Sequence, residues 1–195
     1  MTVGQMKEML RGTLNPKRYI HSLGVCDTAV RLARLYGADE EKAYLAGLLH
    51  DCAKCYDGEG QRAVCEKYGV HLTEDDILCP PVIHAPLGAA VARAEYGIED
   101  EEILRAIALH TTGGRDMTVL DKIIYISDMT EPSRDYPGVE ELRSAAENGL
   151  DRAMLLSLRR TLEFNLAKNK IIHPDTITAY NSVLKDHNFR SKIYF

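Results

Sequence analysis

The chain has 195 residues, 45% hydrophobic and 27% charged, with 24 Lys and Arg against 29 Asp and Glu for a formal net charge of -5. That length suits one domain with a sizeable core, and no segment is long and apolar enough to span a bilayer. The acidic balance argues against nucleic-acid binding, which needs clustered Lys and Arg, while an odd count of five cysteines and a start without a signal-peptide core predict reduced thiols and a cytoplasmic location.

Apolar residues recur every three or four positions and period-two alternation is absent, so the chain reads as all-α. Asn15-Pro16 supplies a cap and a first-turn proline for a helix predicted to run to Tyr36, where Gly37 ends it. His21 falls about one and a half turns into that helix. Asp39 caps the next, whose apolar run Ala43, Tyr44, Leu45, Ala46, Leu48, Leu49 ends in His50-Asp51. A short helix is expected around Gln61 to Tyr68, after which Pro80-Pro81 should force extended backbone. Pro86, read as a first helical residue, opens a helix to about Tyr96 and leaves His84 just before it. Asp100 caps a helix in which Ile103, Ile107 and His110 share the buried face. After the polar stretch Thr111 to Thr118, a helix from about Val119 carries Asp121 and Asp128 on one face. Others follow near Val139 to Glu147, Asp151 to Lys168 and Pro174 to Lys185. With no repeat or linker, one domain over 1–195 is expected, with a metal-binding core at about 16–134 and C-terminal helices at about 138–186. From Arg159 onward the balance turns mildly basic, read as a solvated helix face.

His50-Asp51 is the most informative pair. A carboxylate and an imidazole at a buried helix end are costly unless compensated, and a bound cation is the usual compensation. His21, His84, His110 and Asp128 each stand beside apolar residues at or near the end of a separate predicted helix, so four histidines and two aspartates can converge on one cavity as metal ligands. Asp51 is the natural bridge for a two-metal site. Lys54, four after His50, points to the same cavity if the helix persists another turn. Cys52 and Cys55 form a lone Cys-x-x-Cys and read as packing residues. His71, His173 and His187 lack comparable context and stand outside the set.

The order His21, His50-Asp51, Asp128 resembles the H…HD…D signature of the HD superfamily of metal-dependent phosphohydrolases, and His84 and His110 resemble the additions of its two-metal members. The stretches Arg18 to Val25, Ala46 to Lys54, His110 to Gly113 and Leu120 to Asp128, with Glu131-Pro132, Arg134 and Pro137-Gly138-Val139, are similar to the YqeK-type family of bacterial symmetrical bis(5'-nucleosyl)-tetraphosphatases. The similarity covers about Arg18 to Asn181 and departs at Met129-Thr130, which touches no proposed ligand.

That resemblance implies an HD-domain helical bundle with a metal site in its core, splitting diadenosine tetraphosphate into two ADP at a di-iron centre. Imidazole and carboxylate ligands alone suit Fe, Mn or Zn. One metal is expected on His21, His50, Asp51 and Asp128 and the other on Asp51, His84 and His110, with hydroxide between them attacking phosphorus. Lys54 joins Asp51 as a catalytic residue. Arg18, Arg134 and the Thr111-Thr112-Gly113 turn, through Thr111 and Gly113, are expected to bind the polyphosphate, and Asp121 to orient a neighbouring lysine, arginine or ligand histidine. The partner expected is a dinucleoside polyphosphate, with a homodimer left open. Three alternatives stay open: an HD nucleotidase acting on nucleoside mono-, di- or triphosphates, a mixed-valent di-iron HD oxygenase, and a non-catalytic nucleotide-binding module.

Overall fold

The structure is a computed structural model that describes the backbone of residues 1–191 and the side chains of residues 1–58 and 60–186. Among these residues every regular element is a helix. The first, α1 (Val3–Thr13), begins at a reciprocal cap between Thr2 and Gln5 and was not expected, because its few buried positions, Met6 and Leu10, are thinly spread among charges. In α2 (Pro16–Tyr36) the Asn15 side chain accepts the Arg18 N–H and left-handed Gly37 closes the helix, as expected. Asp39 accepts from the Glu41 and Lys42 N–H groups to start α3 (Glu40–Leu49), and His50 is its C-cap.

The segment after the His-Asp pair departs furthest from expectation. Helices α4 (Gly58–Lys67) and α5 (Glu74–Leu78) precede the two prolines, and α5, absent from the expected elements, starts at a Thr73–Asp76 capping box. Pro80-Pro81 builds a tight 3-10 turn (Pro80–Val82) instead of extended backbone, since the fixed proline φ suits that turn equally well. Helix α6 (His84–Tyr96) therefore opens two residues before Pro86, which occupies its third position, where no intrahelical N–H is needed. His84 is the first residue of the helix, a correction of its place outside it.

Then come α7 (Glu101–Leu109), α8 (Val119–Thr130), α9 (Val139–Asn148), α10 (Leu150–Ala167) and α11 (Pro174–Ser191). Helix α8 is central: Ile123, Ile124 and Ile126 are fully buried, and it packs on α2, α3, α7, α9 and α10. Its buried residues, polar Asp121, Lys122 and Ser127 among them, lie all round the helix, which is stable only when enclosed in this way. One hydrophobic cluster runs from Met6 to Val183. The C-terminal ends of α3 and α7 and the start of α6 thereby meet the flanks of α2 and α8. No described helix is long and apolar enough to cross a membrane.

Replacing Ile124 by alanine, at the centre of this packing, is expected to lower unfolding free energy by about 2–5 kcal/mol in urea denaturation. A loss below about 1 kcal/mol would contradict the central place of α8.

Candidate metal centre

All six residues singled out as ligands are brought together around Asp51, which is 2% exposed. Its Oδ2 lies 3.3 Å from His50 Nε2 and 3.8 Å from His21 Nε2, and its Oδ1 lies 3.2 Å from His84 Nε2 and 3.6 Å from His110 Nε2. Each carboxylate oxygen thus faces its own pair of imidazoles. Asp128, from α8, places Oδ1 3.0 Å from His21 Nε2 and 3.9 Å from His50 Nε2, joining the Oδ2 side.

Hydrogen bonds at the far side of each ring set its tautomer. His50, His84 and His110 each donate Nδ1–H, at 2.7 Å, to the carbonyl three residues upstream, on Gly47, Pro81 and Ile107. His21 donates Nδ1–H to Glu131 Oε1 at 3.0 Å. All four Nε2 atoms are left as lone-pair donors. His21 and His50 then bring Nε2 atoms within 3.2 Å of each other, and His84 and His110 within 3.0 Å. Neutral nitrogens facing lone pair to lone pair at that distance repel, and a cation between them turns the repulsion into attraction. Donors about 2.1 Å from a shared ion stand roughly 3–4 Å apart, which fits both groups. The ligand atoms of His21, His50 and Asp51 fall within 4.8 Å of one another, as do those of Asp51, His84 and His110.

The electrostatics agree with that donor set. Burial alone would raise the Asp51 carboxyl, but the surrounding imidazoles, His50 foremost, hold it well below the ordinary carboxylate range. Burial also opposes ionisation of Asp128, and the neighbouring His21 and the Arg134 guanidinium overcome it, so this carboxyl too is held far down. Burial lowers His84 from the usual 6.5 to about 4, with Asp51 offsetting part of the effect, so its Nε2 is unprotonated at neutral pH.

Around this centre the other expected residues divide. The helix does not persist to Lys54; the chain turns at Asp51, whose carbonyl accepts the Lys54 N–H at 2.9 Å. The half-buried Lys54 still lies in the field of Asp51 and Asp128, and desolvation lowers its pKa while those carboxylates oppose the shift. Arg18 donates to Asp51 Oδ2 at 2.7 Å, and Arg134 binds the Asp128 carboxylate and, at 2.7 Å, its carbonyl. Thr111 Oγ1 stands 3.2 Å from the Nε2 atoms of both His84 and His110. Gly113 is corrected: its N–H bonds the Leu109 carbonyl at 2.8 Å, its φ is +69°, and a Cβ there would stand 2.8 Å from Ala179 Cβ. It closes the turn that follows α7 and packs on α11, offering no donor to a ligand. Asp121 serves the Thr118 cap and pairs with Arg105 at 3.3 Å, so among the partners expected of it only an arginine holds. Cys52 and Cys55 are free thiols, the first buried against the Gly88 carbonyl. Of the histidines set aside, the side chain of His187 lies outside the described residues.

Sequence reasoning gave no role to Glu131. Its carboxylate is 1% exposed, accepts from His21 and from the Ser133 N–H and hydroxyl, and packs so closely on Gly24 that a Cβ there would stand 2.6 Å from Oε2. The available signal was an acid at the end of the helix that carries Asp128, three residues further on.

Residues 18–133 match the family model described as HD domain, and that span contains every ligand candidate. The chain belongs to the HD-domain family. Curated relatives extend the likeness to almost the whole length. The symmetrical bis(5'-nucleosyl)-tetraphosphatase of Halalkalibacterium halodurans is 44% identical, aligned over 94% of this chain and 98% of the relative. The enzyme of the same name from Bacillus subtilis is 42% identical, over 86% and 90%. A crystal structure of a Clostridium acetobutylicum protein, described as a predicted HD superfamily hydrolase involved in NAD metabolism, superposes with a TM-score of 0.93 at 44% identity, covering 95% of this chain and 98% of that one.

Two outcomes follow from the ligand supports. Glu131→Ala removes the side chain that orients His21 and should weaken metal binding about 10- to 100-fold in a Mn²⁺ titration of the folded protein, whereas unchanged affinity would show that His21 is held by packing alone. In metal-free protein, NMR should place the His84 titration near pH 4. Its folded pKa lies below its unfolded one, so between about pH 6.5 and 4 the unfolded chain binds the extra proton, and this residue's contribution to stability falls as pH falls through that window.

Proposed function

We propose that this HD domain is a metal-dependent hydrolase that splits diadenosine tetraphosphate symmetrically into two ADP. In this reading His21, His50, Asp51 and Asp128 hold one divalent ion and Asp51, His84 and His110 hold a second. The observation that carries it is the pairing of each Asp51 oxygen with its own two imidazoles, the arrangement a bridging carboxylate requires. The curated relatives that align over nearly the full length bear that activity in their names. The family resemblance favours iron, and Mn or Zn suits the same ligands.

Bound divalent ions supply Lewis acidity and lower the pKa of coordinated water from ~15.7 toward ~7. The protein's part is to gather the polyphosphate and keep the reacting phosphorus in line. Water adds to one of the two central phosphorus atoms, the P–O bond to the bridging oxygen breaks, and ADP departs as the second product. Arg18 and Arg134 stand with Lys17 at the edge of a cavity of about 580 Å³ that reaches His21. There three cations offset the charges of one substrate half. Lys54, desolvated beside Asp51, neutralises phosphoryl oxygens as charge develops on the leaving group. Thr111 directs its hydroxyl to an oxygen held at the His84–His110 end.

Incubation of the purified, metal-loaded protein with diadenosine tetraphosphate should yield ADP as the only nucleotide product, and ATP with AMP would overturn the reading. Asp51→Ala is expected to lose bound metal and turnover together. Lys54→Ala should keep its metal content while kcat falls by about 10²-fold. Retained turnover in Asp51→Ala would refute the bridging role.

A further inference from the structure

Helix α8 ends beside the His21 half of the centre, with no basic residue in its own last turn. A helix C-terminus leaves its last carbonyls without intrahelical partners and is the negative end of the helix dipole. The Asp128 carbonyl is bonded by Arg134 Nε at 2.7 Å, and the Met129 carbonyl by the Tyr136 hydroxyl at 2.8 Å. The next two carbonyls go to a residue that the mechanism does not use, Arg143 of α9.

Arg143 reaches three main-chain oxygens at once. Its Nε donates to the Thr130 carbonyl and its Nη2 to the carbonyls of Glu131 and Arg134, each at 2.9 Å, while Nη1 bonds the Glu140 carboxylate. A planar guanidinium carries its donors in a fixed fork that can bridge several acceptors, whereas a lysine ammonium is a single point charge. The three carbonyls belong to one turn, 130–134, which the Arg134 N–H closes on the Glu131 carbonyl at 3.0 Å. Near its start Glu131 accepts the His21 Nδ1–H, and at its end Arg134 grips the Asp128 carboxylate. At the other end of the histidine row, His84 and His110 are held by the carbonyls of Pro81 and Ile107.

We propose that Arg143 is a positioning residue for the His21 half of the centre: it fixes the turn 130–134 so that Glu131 aims the His21 ring and Arg134 holds Asp128. The inference rests on the ligand set of the hydrolase reading. It requires an asymmetry that a general loosening of the bundle would not give, with a loss at His21 and none at His84 or His110.

The test is a Zn²⁺ titration of the full-length protein followed by ring-nitrogen NMR of the four histidines, since Zn²⁺ suits imidazole and carboxylate ligands. In Arg143→Ala, His21 should need roughly tenfold more Zn²⁺ than in wild type, while His84 and His110 respond at the wild-type concentration. Equal losses at both ends, or none at either, overturn the proposal. Arg143→Lys keeps the charge without the fork and should show the same one-sided loss. If Arg143→Ala does not fold, this variant decides, and wild-type behaviour in Arg143→Lys overturns the proposal. Combined with Glu131→Ala, the two losses at His21 should fall short of adding, and full additivity would refute action through Glu131. The two readings fail separately. Wild-type histidines that ignore Zn²⁺ overturn the ligand set, and Arg143 is then judged on the metal-free spectrum. There Arg143→Ala should lose the Nδ1–H resonance of His21 alone, and its persistence overturns the inference. Two occupied sites with an insensitive Arg143→Ala overturn the inference and keep the ligand set.

Discussion

Everything in the centre depends on one buried carboxylate surrounded by four imidazoles whose lone pairs point at it. Asp51 is nearly inaccessible to water, and a bare charge there would be prohibitive. Arg18 donates to one of its oxygens and offsets part of that cost, while the Nε2 lone pairs of His21, His50, His84 and His110 face both oxygens and add to the negative field. Those imidazoles in turn are crowded nitrogen against nitrogen, which makes a positive ion the natural third party. The bundle supplies the rigidity: with α8 enclosed by five other helices, the helix ends that carry the ligands have little freedom to move apart.

The ligands concentrate at helix termini for a reason of backbone chemistry. A terminus leaves carbonyls without intrahelical partners, and an imidazole placed there can spend its Nδ1–H on one of them. His50 and His110 do this as the C-caps of α3 and α7, and His84 does it at the first position of α6 with the carbonyl of the preceding proline turn. One local arrangement, used three times, both satisfies the backbone and frees Nε2. His21, inside α2 where carbonyls are already bonded, takes a side-chain acceptor instead.

Much of this was legible in the sequence because its signals are local. Asn15, Asp39 and Asp100 mark helix starts by their own side chains, and His50-Asp51 declares itself by contrast with the apolar run before it. The reading failed where two local rules compete, as at Pro80-Pro81, whose fixed φ serves extended chain and 3-10 turn alike. It failed at Gly113 because the fate of that N–H is settled by the end of α7 and by packing on α11. Glu131 was invisible for a different reason: its partner His21 lies 110 residues away along the chain.

The carbonyl anchors of His50, His84 and His110 also shape how the protein withstands mutation. Main-chain oxygens persist whatever side chain their residue carries, so substitutions at positions 47, 81 or 107 that keep the fold leave these three rings aimed as before. What limits change there is packing: a Cβ at Gly47 would stand 3.2 Å from Cys26 Cα, and Ile107 is fully buried. His21 has no such insurance, since its aim is entrusted to the carboxylate of Glu131, itself fitted against Gly24. Among the four ring supports, dependence on the chemistry of a side chain is therefore concentrated at a single contact.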